Sequence, residues 1–316
     1  MDKIWNYCEV EFLLDLFNGP IPSDFDPEKE AWSSLFKLFH SKSELLVDSK
    51  SRLLNGVDNP YVKHLIKQSN SGGSRIHEVP TIFEEIREDF SYIKTGSNSE
   101  SPLYFFAKEP PRDWGYGIVI SHPSKKYETI KRLALDTFSV SVSRTKASNQ
   151  LSGWVDLFRN LPPRNSLIIA DNYLLKDNAM DKNLFPILEH CIPKGLENTF
   201  HLLIIAKPDL HNYKLKCQEI SEFIESMDAD IDLTIIQAEY HSRAIVSNYF
   251  YIQSDHSFDF FNNRNQVKKN ALVTYKPICC EEDSNWFQSK LIELKHTFNN
   301  GNKRFGSTKF PLLDSL

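Results

Sequence analysis

The chain has 316 residues, 41% of them hydrophobic and 25% charged, with a net charge of −5. That is globular composition, enough for one large domain or two ordinary ones. It excludes general electrostatic attraction to nucleic acid, so any phosphate binding needs a local basic patch. The five cysteines, Cys8, Cys191, Cys217, Cys279 and Cys280, form no CxxC pair, which argues for reduced thiols over a disulfide framework or a zinc knuckle. A basic leader and an apolar run of membrane-spanning length are both absent from the sequence, and the expectation is a cytoplasmic protein.

Along the first hundred residues the pattern reads as mostly helical. Trp32, Leu35, Phe36 and Phe39 fall at helical spacing, with Asp26 and Pro27 supplying a cap and a first-turn proline. Leu45 to Val47 reads as a short strand, and a second helix is expected from Pro80 to Phe90. Thr95 to Pro102 is loop-like in composition. From there short apolar runs alternate with helical stretches. The runs are Leu103–Phe106, Gly117–Ser121, Phe138–Val142, Ser166–Ala170, His201–Ala206 and Leu233–Ile236. Such alternation predicts an α/β fold with a mixed, largely parallel sheet flanked by helices. Residues 240–262 and 271–278 read as antiparallel strands near a sheet edge. Trp286 to Phe298 reads as a closing helix, and the Asn/Gly/Lys-rich tail as loose. The expected organisation is a helical region over 1–100, an α/β domain over 101–300 and a flexible tail over 301–316.

The segment 231–261 carries the most chemistry. His241, Arg243 and Asn248 form a His-x-Arg-x4-Asn pattern. Two positions apart on a strand, His241 and Arg243 point to one face and together can grip a phosphate, the guanidinium doing so with two parallel hydrogen bonds. Asn248 has the opposite parity and joins them only if the strand bends or bulges. Glu239 shares the parity of His241 and is a candidate replacement for a missing acid. The loop NNRNQVKK places Arg264, Lys268 and Lys269 as further candidate phosphate contacts. Asp171, at the end of a predicted strand, and Lys207 with Asp209, after the next, read as turn residues. Upstream, His40, Lys42 and Asp48 come within one residue of the same spacing, and their simplest reading is a helix end beside a strand. Walker A, GxGxxG, HExxH and GxSxG patterns do not occur, and no cofactor is expected.

The spacing of His241, Arg243 and Asn248 resembles the His-x-Lys-x4-Asp signature of the phospholipase D superfamily. The segment is also similar to a short prokaryotic variant with a His-x-Arg core followed by Thr/Ser-Asn, here Ser247-Asn248, and then an aromatic-rich stretch, here Ser254 to Phe261. It is similar too to the C-terminal phospholipase D-like domain of MIT-domain proteins. The resemblance spans residues 160–300. It implies a phospholipase D-like domain with His241 as nucleophile or acid and Arg243 on the phosphate oxygens. Asn248 stands where that family has an acid, and the chain carries one copy of the motif where the chemistry uses two histidines. The resemblance therefore implies a degenerate, phosphate-recognising module, with nucleic acid or another phosphodiester as partner and a prokaryotic defence context. Two alternatives stay open: a metal-independent phosphodiesterase or nuclease completed by a homodimer, and an interaction scaffold with no site.

Overall fold

A computed structural model describes residues 4–19, 23, 27–40, 43–60, 63, 67, 76–80, 103–107, 118–120, 138–143, 153–158, 161, 164–176, 179–194, 196–207, 211–262, 266–277 and 281–314. The chain divides into two compact units, residues 1–135 with 279–281, and residues 136–278 with 282–316. The expected helix over 80–90 and the loop over 95–102 lie almost wholly outside the described residues.

The first unit holds strands β1 (Ile4–Cys8), β2 (Ser43–Val47), β3 (Ile76–Glu78), β4 (Leu103–Phe105) and β5 (Ile118–Ile120). They form one sheet in the order β3-β2-β1-β4-β5, and every pair is parallel. Helices α1 (Val10–Asn18) and α2 (Pro27–His40) connect β1 to β2, and α3 (Lys50–Gly56) follows β2. Beside its helices, this region also contributes strands to that sheet. Three of its strands fall within the first hundred residues, and they are only three to five residues long. Such short apolar runs cannot be told from helix by periodicity. The expected break near residue 100 falls inside this unit, because β4 pairs with β1. Phe105 anchors the core, its ring 5.3 Å from that of Phe12 on α1 and 5.2 Å from that of Phe39 on α2.

The second unit is built on eight strands: β6 (Phe138–Val142), β7 (Ser166–Ala170), β8 (Leu196–Ala206), β9 (Ala229–Gln237), β10 (Arg243–Ser247), β11 (Phe250–Ser254), β12 (Ala271–Pro277) and β13 (Lys303–Phe305). Their order is β13-β9-β8-β7-β10-β11-β12-β6. β7, β8 and β9 run parallel, and the remaining pairs are antiparallel. The α/β reading with a mixed, helix-flanked sheet therefore holds. β7 is apolar after Ser166 without alternation and buried at all five positions, as expected for a central strand covered on both faces. Helices α4 (Trp154–Phe158), α5 (Phe185–Cys191, preceded by a π turn over Met180–Leu184), α6 (Tyr213–Glu225) and α7 (Glu281–Asn299) flank the sheet. α7 buries Phe287, Leu291, Leu294 and Phe298.

The tail departs from its expected looseness. β13 pairs with β9, and α8 (Pro311–Asp314) follows, with Phe310, Leu312 and Leu313 buried. Arg304 holds this turn by donating to the carbonyls of Phe298 and Ser307. Three apolar side chains among many polar ones gave too weak a periodic signal to reveal it. No helix among the described residues is long and apolar enough to cross a membrane.

Candidate functional site

Each unit presents the C-terminal ends of parallel strands, where α/β sheets place their ligands. In the first unit the order reverses between β1 and β4, and that switch point is filled by the chain itself. Glu9 Oε2 accepts the Ala107 N–H at 2.9 Å, while the Glu9 N–H donates to the Phe105 carbonyl at 2.9 Å. Asp48 Oδ1 accepts the first helical N–H of α1, from Val10, at 2.8 Å. Two carboxylates thus occupy the position where a helix N-terminus would otherwise attract an anion. Asp48, part of the upstream near-match, is a capping residue here.

The second unit is different. β10 runs antiparallel to β7 with Ala244 opposite Ala170, and antiparallel to β11 with Arg243 opposite Ser254. The exit of β7, the entry to β10 and the exit of β11 therefore meet at one end of the sheet. Asp171 leaves β7 there and is buried. Its Oδ1 accepts from the Tyr173 N–H at 2.8 Å, and its Oδ2 accepts from the Phe258 N–H at 2.6 Å. The Ser257 hydroxyl lies 2.9 and 2.8 Å from the two oxygens. Burial pushes the Asp171 carboxyl above its ordinary range. The two backbone donors, the Ser257 hydroxyl and the positive charge of Arg243 pull it back. Asn172, the next residue, donates from Nδ2 to the Tyr240 carbonyl at 3.4 Å. Two consecutive residues thus tie down the segment before His241 and the segment after β11.

Arg243 is half-buried at the start of β10. Its guanidinium makes no hydrogen bond to any described residue, and its buried Nε is unsatisfied. The group lies 5.9 Å from the centroid of the exposed Tyr173 ring, whose other close cation is Lys176 at 4.1 Å. Arg164 provides the internal contrast. It donates from Nε to the Cys191 carbonyl at 2.6 Å and from Nη2 to the His190 carbonyl at 3.4 Å. That arginine closes the C-terminal end of α5.

His241 precedes β10 with its side chain 87% exposed, and its Nε2 lies 3.5 Å from Glu239 Oε1. Glu239 is therefore beside the histidine, in the connection between β9 and β10, but both groups stand in solvent where such a pair contributes little to stability. Asn248 is elsewhere. It lies five residues past Arg243, about 17 Å along an extended strand. Its Oδ1 accepts the N–H groups of Asn165 at 3.3 Å and Ser166 at 3.1 Å, at the opposite end of β7. The strand does not bend to bring it to His241. Lys268 and Lys269 are paired with Asp259 at 2.9 and 3.3 Å, on a small hairpin closed by the Phe261–Val267 bridge. Arg264 lies outside the described residues. Asp171, read from sequence as a turn residue, and Ser257 are the members of the cluster that sequence reasoning passed over. The available signal was an acid directly after a fully apolar strand.

No protein-family model matches the chain, and no curated protein sequence matches it. Two of the solved structures that are distantly similar illustrate the likeness. Nuc from Salmonella typhimurium, a phospholipase D family member, shares 8% identity at a TM-score of 0.33, over 54% of this chain and 100% of its own. TrmBL2, an archaeal chromatin protein with a novel mode of DNA binding, shares 9% identity at a TM-score of 0.27, over 90% of this chain and 96% of its own. Both likenesses are remote, and the reading of the site rests on its own residues.

Proposed function

We propose that the second unit is a phosphate-recognition module. Arg243 and His241 contact the phosphate of a phosphodiester-bearing partner, such as nucleic acid, at the shared end of β7, β10 and β11. The observation that carries this reading is the idle guanidinium of Arg243. The guanidinium offers five donors in a fixed fork, its buried Nε has no partner among the described residues, and leaving that donor unmet costs free energy that a bound oxyanion recovers. Asp171 does not take up the fork, since its oxygens already accept from Tyr173, Ser257 and Phe258. The electrostatic attraction from Asp171 holds the positive charge near the sheet end and leaves its donors available.

Recognition fits these residues better than hydrolysis. Asn248 is committed to the far end of β7. The carboxylate beside His241 is the solvated Glu239, and orienting an imidazole for proton transfer calls for a fixed partner. A gel-shift titration with single- and double-stranded nucleic acid in EDTA, at several salt concentrations, tests the reading. Salt-dependent binding without cleavage, weakened by Arg243→Ala, is the expected result. Binding indifferent to Arg243→Ala sinks it, and cleavage that requires His241 makes the unit a phosphodiesterase instead.

A further inference from the structure

We propose that the groove between α6 and β13 is a docking site for an extended acidic segment of a partner protein, which adds a strand to the open edge of the second unit's sheet. β9, β8 and β7 separate this edge from the strand that carries Arg243.

β13 is the last strand in the order of its sheet, and among the described residues β9 is the strand it pairs with. The backbone groups on its outer side are therefore open to a further strand. That edge borders a groove of about 1290 Å³ lined by α6 and β13. Small-ligand pockets hold roughly 300–1,000 Å³, so the groove suits a length of chain better than one small molecule. Packing fixes its two walls. Tyr213, at the start of α6, donates its hydroxyl to the Ile235 carbonyl at 2.7 Å, and Ile235 lies opposite Phe305. Lys303 lies opposite Gln237, which lies opposite Ala206 at the exit of β8. The chain enters α6 from that same exit, so Lys303 and the N-terminal end of α6 share one end of the groove.

The lining offers both apolar contact and positive charge. Leu215 is 52% exposed on one wall and Phe305 40% exposed on the other. His211, Lys214 and Lys303 are exposed, and none has a hydrogen-bond or ion-pair partner among the described residues. α6 starts without a side-chain cap, so its dipole adds positive potential at the same end. Glu225, the carboxylate of the lining, stands at the far end of α6. In a chain of net charge −5, this is a local cationic surface complementary to carboxylates.

Other occupants match it less well. Antiparallel pairing of two β13 strands about Arg304 sets that arginine opposite its own copy, and like charges opposite each other are destabilising. A lysine on an open edge likewise guards against self-pairing. Nucleic acid brings negative charge but has no peptide backbone to pair with β13. An extended peptide supplies the backbone, the charge and the alternating side chains together.

The test is a fluorescence-polarisation titration of the full chain into a short labelled peptide of alternating glutamate and valine. Its lysine–valine counterpart and a copy N-methylated along the backbone are run beside it. The expected result is saturable binding of the glutamate peptide and none of the lysine peptide. N-methylation, Lys303→Glu and Lys214→Glu should each weaken binding roughly tenfold or more. Both lysines are exposed and unpaired, so thermal melts of the two variants should match the native chain. Absence of binding, equal binding of the N-methylated copy, or indifference to both charge reversals overturns the proposal. Displacement by oligothymidylate at lower concentration than by unlabelled glutamate peptide makes the groove a nucleic-acid contact and overturns it too.

Discussion

Asp171 and Arg243 face each other across the open end of the β7–β10 pair, electrostatically coupled yet joined by no hydrogen bond. The carboxylate spends its oxygens on the turn after β11, and the guanidinium keeps its donors. That division of labour separates a residue that builds the site from one that contacts a ligand, and it sets opposite expectations for their replacement.

Arg243→Ala is expected to weaken pyrophosphate and oligonucleotide binding by roughly tenfold or more, with little loss of stability, since no protein hydrogen bond is removed. Arg243→Lys keeps the charge but not the planar fork, and an intermediate affinity is expected. Binding titrations paired with urea melts check both. A large drop in stability with Arg243→Ala contradicts the assignment.

Asp171→Asn is expected to cost about 1–3 kcal/mol, because the amide cannot accept from both the Tyr173 and Phe258 N–H groups while bonding Ser257. The pH dependence has a definite sign. Burial raises the folded carboxyl above its ordinary value of 3.8, so the folded state binds the proton more tightly than the unfolded one. Stability from this group is then fully present below about pH 4, and it is lost as pH rises through the raised folded value. Urea melts across that acidic window should show the advantage of the native chain over Asp171→Asn narrowing as pH rises. A widening advantage contradicts the assignment.

Asn248→Ala is expected to destabilise the second unit by about 1–2 kcal/mol through the uncapped N–H groups of Asn165 and Ser166, and to leave pyrophosphate affinity unchanged. Asn248→Asp, which restores the acid of the resembled signature, is expected to produce no phosphodiesterase activity, since the residue sits at the wrong end of β10. Hydrolysis of a chromogenic phosphodiester by that variant is the outcome to look for against this account.

The tail is expected to be structural. Phe310→Ala should cost about 3–5 kcal/mol as a large buried side chain is lost. Gly306→Ala should be worse tolerated than an ordinary loop change. Gly306 has φ of 91°, and an added Cβ collides with the Leu233 carbonyl. Thermal melts of both variants check this, and near-native midpoints restore the loose-tail reading.

Much of the second unit is legible in the sequence because its strands are long or wholly apolar. Ser166–Ala170 is found at the expected bounds, and His201–Ala206 forms the end of β8. In the first unit Leu45–Val47, Leu103–Phe106 and Gly117–Ser121 are legible as short apolar runs, whereas Ile4–Cys8 and Ile76–Glu78 are not, and the parallel pairings that join them into one sheet are non-local. At the site, Glu239 and His241 meet in the connection between β9 and β10, two positions apart, a local matter. The length of β10 separates Asn248 from His241, and a pattern match cannot overrule it. Asp171 was hidden because its partners Ser257 and Phe258 lie more than eighty positions away. The register of β7 against β10 and β11, which only the folded sheet supplies, brings them together.

Calorimetric titration of pyrophosphate into the full chain and into Arg243→Ala, each at low and at physiological salt, addresses the central claim most directly. The account predicts binding to the native chain that weakens with salt, and a loss of roughly tenfold or more in the variant at both concentrations. Equal affinity in the two proteins, or no detectable binding to the native chain at low salt, contradicts it.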